Sequence, residues 1–383
     1  MDTASNKLIT PGFIIFGALT IAGIAVWVYQ LMNGLGITGM SNSNSWGLYI
    51  TFFMFFVGLS AGGLIVASSA SVFHIAEYKK MALPAVIVST ASIVVAAMFV
   101  LVDLGGIQRI MNLFVHPNFT SPLLWDVCVI TIYLAVNIVY LVFLAKGNDR
   151  GVMVLGRFAL PIAILVHSVT SWIFGLHIAK EGWYSAIMAP IFVASALDSG
   201  MALLLCVLHW MRKKGIFEVE QKLFSNLAGL LVTFIAVDAF FIGCEVLTMA
   251  YPGAGGAETL AVMTSGATAP FFWIEIIFGL LVPFCVLVFA KNRQNTNLVI
   301  VSSLLVILGV FCKRFWLLQS SFAHFNVDGA ITLGTKAAQM GGTDMWAVAG
   351  SYAPTILEVC VAVGVISAGV VVFLALTKTL LKK

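Results

Sequence analysis

The sequence predicts an all-α integral membrane protein with about ten transmembrane helices. Of the 383 residues, 61% are hydrophobic and only 9% are charged, whereas soluble domains carry about 25% charged residues. The apolar residues form runs of about 20 residues or more, the length that a helix needs to cross a bilayer. The first run follows a polar start, MDTASNKLITPG, and lacks a small-residue cleavage site, so we expect it to remain as a helix.

Prolines mark the starts of three of these runs and fall inside two others. Pro11, Pro122 and Pro270 stand at predicted helix starts, where the missing N–H costs little. Pro161 and Pro190 fall inside predicted helices and are expected to kink them. In chain order, the ten predicted helices cover residues 12–32, 46–75, 82–104, 122–145, 152–177, 184–211, 223–250, 268–290, 297–317 and 353–378.

Lys and Arg are distributed unequally between the two sides of the membrane. Fourteen of the 20 fall on the side that carries both termini, five fall on the other side, and Arg157 lies within a helix. Because cytoplasmic loops are enriched in Lys and Arg, both termini are expected in the cytoplasm. The outer loops, residues 105–121, 251–267 and 318–352, are glycine-rich and nearly uncharged. They favour a docked partner, with ordinary connecting loops as the alternative.

Two pairs of helices carry similar sequences. GLSAGGLIVAS (58–68) in the second helix aligns with ALDSGMALLLC (196–206) in the sixth, and SPLLWD (121–126) in the fourth aligns with APFFWIE (269–275) in the eighth. This repeat predicts two parallel four-helix bundles, helices 2–5 and 6–9, with one flanking helix at each end. The corresponding division of the chain is 1–45, 46–178, 179–320 and 321–383.

Three ionisable residues are predicted near the outer face. Asp103 ends the third helix, Arg109 follows in the loop, and Asp126 lies four residues past Pro122 in the fourth helix. Ionisable residues inside a bilayer are rare and usually functional, so we expect the three to share an outer pocket. The alternative is an Asp–Arg pair that only fixes the loop to the helix ends.

His167 is the only one of the six His residues that is predicted at mid-depth. A His there can be a haem ligand, a proton-transfer group or a hydrogen-bond donor to a quinone carbonyl, and the alternative is a packing residue. A bis-His haem site needs two His at matching depth, which disfavours haem. The six Cys lie in apolar runs without a C-x-x-C pair, which argues against iron–sulfur ligands in this chain. Further intramembrane ionisable residues, without an assigned role, are Asp238, Glu245, Glu275, Lys313, Arg314 and Glu358.

Three segments together resemble a known family. DLGGIQRIMNLFVHPNFTSPLLWDV (103–127), LPIAILVHSVTSWIFG (160–175) and PIFVASALDSGMAL (190–203) are similar to signature segments of the polysulfide reductase membrane-subunit (NrfD-like) family. The resemblance covers about residues 45–320. The family commonly has Arg-Pro soon after DLG, where this chain has Gly106-Ile107 and, slightly later, Arg109.

The resemblance implies a quinone-reactive membrane subunit of a respiratory oxidoreductase in the cytoplasmic membrane of a prokaryote. Such a protein provides the site of quinol oxidation or quinone reduction, binding menaquinone or another quinone, and holds no haem or iron–sulfur cluster. Its expected partner is a ferredoxin-like iron–sulfur subunit on the periplasmic face, and through it a molybdopterin or multihaem cytochrome subunit. Membrane lipid is a further expected partner, and binding to nucleic acid is not expected. By position, the residues implied near the quinone are Asp103, Arg109, Trp125, Asp126, His167 and Trp172.

A proton path is the second implication. Asp198 matches the acid of the family's sixth-helix motif and would lie on a proton route. Such a path is expected to continue towards the inner face through His74, Glu77, Tyr133 and Arg157. The alternative is that the charged residues among them only lie at the membrane interface.

Two other functions remain open from the residues. Parallel repeats and buried acids also suit a secondary transporter, which the uncharged outer loops and the absence of clearly broken, paired helices disfavour. A passive anchor would use its buried charges only for assembly.

Overall fold

The computed structural model describes residues 3–72, 76–252, 255–323 and 352–381, and these contain no β-strand. Ten helices in this part of the chain are long and apolar enough to cross a membrane, which confirms the predicted fold class. They are α1 (Thr3–Asn33), α2 (Leu48–Val72), α3 (Ala82–Asp103), α4 (Pro122–Ala145), α5 (Asp149–Gly175), α6 (Met188–Lys213), α7 (Gln221–Ala250), α8 (Ala269–Leu287), α9 (Thr296–Ala323) and α10 (Ile356–Leu380).

Several boundaries differ from the prediction. The ninth helix continues to Ala323, six residues past its predicted end, and carries further polar residues to the outer side. Pro190 is the third residue of α6 and lies in its first turn, so the predicted kink there is wrong. The predicted outer loops contain the short helices Ile107–Arg109, Ile110–Val115 and Gly255–Ser265, and the middle of α8, Ile274–Leu281, is a π-helix.

Local chemistry sets the helix ends that position the site. Pro122 opens α4 directly after Ser121, and the side chain of Asn148 caps α5 by accepting from the Gly151 N–H at 3.0 Å. Gly105, with φ 64°, turns the chain after α3. These ends fix how far Asp126 and His167 lie along their helices.

The helices pack into two four-membered rings of the same order. In the first, α2 and α4 each contact both α3 and α5; in the second, α6 and α8 each contact both α7 and α9. The rings meet along α2 and α6, where the aligned glycines Gly62 and Gly200 touch through their backbones. A Cβ added to Gly62 would lie only 2.6 Å from the Cα of Gly200. The parallel-repeat architecture is therefore confirmed, with its repeat-related glycines at the interface.

The two flanking helices lie together. α1 packs along α10, with Gly23 and Gly364 in backbone contact, and α10 also packs on α3 of the first bundle. The helices that flank the bundles in the sequence thus form one pair in space. The proposed domain boundaries remain a prediction, and residues 324–351 of the last segment lie outside the described part.

Candidate functional site

Asp126 is buried between two helices of the first bundle. It follows the first turn of α4 and is only 4% exposed. Its Oδ1 accepts a 2.6 Å hydrogen bond from the hydroxyl of Thr170 in α5. The acid that the sequence identified is therefore oriented by a neighbouring helix, and the bond links α4 to α5.

The other two members of the predicted outer cluster, Asp103 and Arg109, form no ion pair with Asp126 among the described residues. Asp103 is half-buried, and its Oδ1 makes no hydrogen bond with a described residue. Arg109 is exposed in the short helix that follows the turn at Gly105. Among the described residues, no ion pair connects Arg109 to Asp103 or to Asp126. The alternative, an Asp–Arg pair that fixes the loop, is therefore absent from the described residues, and the shared outer pocket stays a prediction.

His167 lies in the interior, where the two bundles meet. It is 1% exposed and faces α2, where a Cβ on Gly58 would lie 3.4 Å from its Cε1, in van der Waals contact. On the side of the second bundle, its Nε2 lies 3.3 Å from an Nη2 of Arg314. Thr170, the partner of Asp126, is one turn further along α5. His167 and Asp126 are therefore the two predicted site residues that the structure brings into the same interior region.

The predicted tryptophans lie at the edge of this region. Trp125 is 36% exposed, and its indole N–H donates to the Phe119 carbonyl at 2.7 Å. Trp172 is half-buried. Neither contacts Asp126 or His167 by any hydrogen bond within the described residues, so both remain candidates for the rim of a site.

An aromatic cluster, which the sequence did not single out, leads from the outer side to His167. Trp183, from the loop after α5, packs against Phe174 with ring centroids 5.3 Å apart and against Trp46 at 6.0 Å. Phe192 lies 6.1 Å from Phe174 and 5.4 Å from the His167 ring. These four residues give His167 an apolar surrounding with flat surfaces.

The second bundle contains a buried ionic cluster. The Lys313 ammonium lies 2.8 Å from Asp238 Oδ1 and 3.4 Å from Glu275 Oε1, and all three side chains are at most 1% exposed. The Trp316 indole donates to the other oxygen of Glu275. The sequence pointed to these residues but gave them no role. The adjacent cations in "CKRFW" (312–316), inside an apolar helix, were the signal that a buried partner must exist.

The predicted proton-path residues divide into two groups. The hydroxyl of Tyr133 is buried and bonds to Ser60 and Ser89 at 3.0 and 2.8 Å, and Ser89 donates to Asn137 at 2.8 Å. Asp198 is fully buried in α6, and its carboxylate oxygens have no hydrogen-bond partner among the described residues. The remaining residues lie elsewhere: Glu77 and Arg157 are exposed, and His74 is outside the described residues.

The described residues hold no group of three His, Cys, Asp or Glu side chains placed for a metal ion. One apolar cavity of about 150 Å³ lies between α1, α3 and α10, with Trp27, Met98 and Val102 in its wall. It is separate in lining from the Asp126–His167 region.

The family model described as "Polysulphide reductase, NrfD" matches residues 36–326. The chain is 34% identical to a protein of Halobacterium salinarum named as a candidate membrane subunit of dimethyl sulfoxide reductase, over 98% of this chain and 93% of that one. It is 29% identical to the Hdr-like menaquinol oxidoreductase integral membrane subunit of Archaeoglobus fulgidus, over 80% and 77% of the two chains. It is also 25% identical to a subunit of the selenate reductase of Mesobacillus selenatarsenatis, over 94% and 91%. With ten membrane helices in the described part and a match across most of its length, the chain belongs to the NrfD family of polysulphide reductase membrane subunits.

Proposed function

We propose that this protein is the quinone-reactive membrane subunit of a multi-subunit oxidoreductase, and that the quinone head binds in the first bundle beside Asp126 and His167. One observation carries the proposal: His167 and Asp126 are both buried, and Thr170, which donates to the carboxylate of Asp126, lies one helical turn from His167 on α5. Ionisable side chains buried in a membrane are costly, rare and usually functional. The relative from Archaeoglobus is named as a menaquinol oxidoreductase subunit, which supports a quinone as the ligand class.

The residues fit the chemistry of a quinone. A quinone supplies two-electron, two-proton redox chemistry when it is bound. Asp126 offers a carboxylate that can accept a proton or a hydrogen bond at Oδ1 or Oδ2, and Thr170 holds it in place. His167 has a ring nitrogen, Nδ1, without a hydrogen-bond partner in the described residues. The aromatic cluster excludes water from the same region.

The proposal extends to protons and partners. Tyr133, with Ser60 and Ser89, forms a buried hydrogen-bonded chain that continues inward from Asp126 on the same face of α4, and Asp198 adds a buried acid in α6. An iron–sulfur subunit docks on the outer face, where the short helix Ile110–Val115 exposes apolar side chains. The membrane is the cytoplasmic membrane of a prokaryote, with both termini on the inner side. A transporter is disfavoured because the relatives are named as subunits of reductases and of an oxidoreductase.

The test is quinol oxidation by the purified complex, with lipid extraction to measure bound quinone. We expect stoichiometric quinone in the native complex, and loss of most activity in His167→Ala and Asp126→Ala. The matched control is Glu245→Ala, which removes another buried acid bonded to a hydroxyl, that of Ser185 at 2.7 Å. Absence of quinone, together with full activity in both site variants, would refute the proposal.

A further inference from the structure

Arg314 reaches from the second bundle into the site of the first. It comes from α9, is completely buried, and places its guanidinium carbon 3.9 Å from the centroid of the Phe192 ring. One terminal nitrogen, Nη2, makes both of its hydrogen bonds: to Ser195 Oγ at 2.6 Å and to His167 Nε2 at 3.3 Å. Since Nη2 carries two hydrogens, each bond has its own hydrogen.

This contact determines which His167 nitrogen carries the ring proton. An arginine side chain can only donate, so Nε2 must accept with its lone pair. A neutral imidazole has one donor and one acceptor nitrogen, and the partner of one nitrogen decides the state of the other. The hydrogen of the neutral ring therefore lies on Nδ1.

Nδ1 is the nitrogen without a partner. Within the described residues, Nδ1 makes no hydrogen bond that meets normal limits of distance and angle. A buried N–H without an acceptor is costly, and a carbonyl oxygen of a ligand would satisfy it.

We propose that Arg314 is a positioning residue of the quinone site, which holds His167 in the tautomer that donates from Nδ1–H to a quinone carbonyl oxygen. The inference rests on the proposed function and sharpens it. His167 serves as the hydrogen-bond donor, and the carboxylate of Asp126 remains as the proton acceptor. It also gives the second bundle a part in the site, since a cation of α9 orients an imidazole of α5.

The experiment uses the purified complex and the quinol analogue 2-heptyl-4-hydroxyquinoline N-oxide, with binding measured by fluorescence quenching. Two substitutions test the tautomer directly, because the amide nitrogen of Asn occupies the place of Nδ1 and that of Gln the place of Nε2. We expect His167→Asn to bind the analogue nearly as the native complex does, and His167→Gln to bind roughly ten times more weakly, the effect of losing one strong hydrogen bond.

Arg314→Met should also weaken binding about tenfold and raise the KM for quinol more than it lowers kcat, because it frees the tautomer. Arg314→Lys, which can still donate to Nε2, should restore part of the affinity. Arg150→Met, an exposed substitution at the start of α5, is the control for loss of charge.

Two results would overturn the inference: native affinity in an assembled Arg314→Met complex, or tighter binding by His167→Gln than by His167→Asn. If Arg314→Met does not assemble, the His167 pair decides alone. Native affinity in His167→Ala would refute both this inference and the proposed quinone site at His167. Native affinity in Arg314→Met alone would refute only the role of Arg314.

Discussion

Replacing Lys313 with Met should strongly destabilise the second bundle. The substitution keeps much of the side-chain volume but leaves Asp238 and Glu275 without the ammonium that lies 2.8 and 3.4 Å from them. Removing one partner of a buried ion pair typically costs about 3–5 kcal/mol, because the remaining charge has no compensation. With an unfolding entropy of roughly 2.1 cal/mol/K per residue, this corresponds to a fall in Tm of about 4–6 °C for a chain of this length.

The chain offers a matched control. Lys79 pairs with Asp149 at 2.9 Å, but the two side chains are 60% and 72% exposed. Exposed pairs contribute about 0–1 kcal/mol, so Lys79→Met should lower the Tm by about 1 °C or less. Both variants are compared in detergent at one scan rate by intrinsic tryptophan fluorescence, since unfolding of such proteins is often irreversible.

A double variant checks the cause. Adding Asp238→Asn to Lys313→Met removes one of the two uncompensated carboxylates and should recover part of the lost stability, while Glu275 remains unpaired. Two results would refute this prediction: a fall in Tm for Lys313→Met that is no larger than that for Lys79→Met, or a double variant that is less stable than Lys313→Met.

Three further predictions concern the helix interface, the site and the outer surface. Gly62→Ala places a Cβ against the backbone of α6, 2.6 Å from the Cα of Gly200, and should lower the free energy of unfolding by about 1–3 kcal/mol. Gly243→Ala, whose Cβ would have nothing within 4 Å, should be neutral, and equal Tm values for the two variants would contradict the contact. Thr170→Val removes the bond that orients Asp126 and should raise the KM for quinol roughly two- to tenfold, whereas Thr170→Ser should behave as the native protein; equal KM values in both would show that the bond has no role. Burial raises the pKa of the Tyr352 hydroxyl, as do its hydrogen bond to Glu358 and the negative charge of that carboxylate. The stability that results is present below the ordinary pKa and is lost as the pH rises above about 10. In a plot of Tm against pH, Tyr352→Phe should show a smaller fall in Tm above pH 10 than the native protein. An equal fall in the two proteins would contradict this prediction.

The sequence predicts the architecture well because the bilayer imposes a simple rule on it. A spanning helix must satisfy its backbone internally and needs about 20 apolar residues. Length and composition therefore located all ten helices, although α1 begins earlier, at Thr3, and α9 ends later, at Ala323, than predicted. The repeat was readable for a related reason: Gly62 and Gly200 lie where α2 and α6 touch, and only small residues permit that approach.

The site was predictable only in part. Asp126 and His167 stand out as ionisable residues in apolar helices, and both are buried as such residues must be. Arg109 is close to Asp103 in sequence, yet the two form no ion pair within the described residues. Nearness in sequence within a loop does not by itself bring two side chains into an ion pair.

What the sequence alone determined is the membrane fold, its repeat, and the acid and imidazole that helices of the first bundle carry inward. The tertiary structure decided their partners. Thr170 binds Asp126, and Arg314 crosses from the other bundle to His167 over 147 positions of sequence. Such pairings depend on which helices become neighbours and how they are rotated, and helix periodicity within one segment carries no information on either.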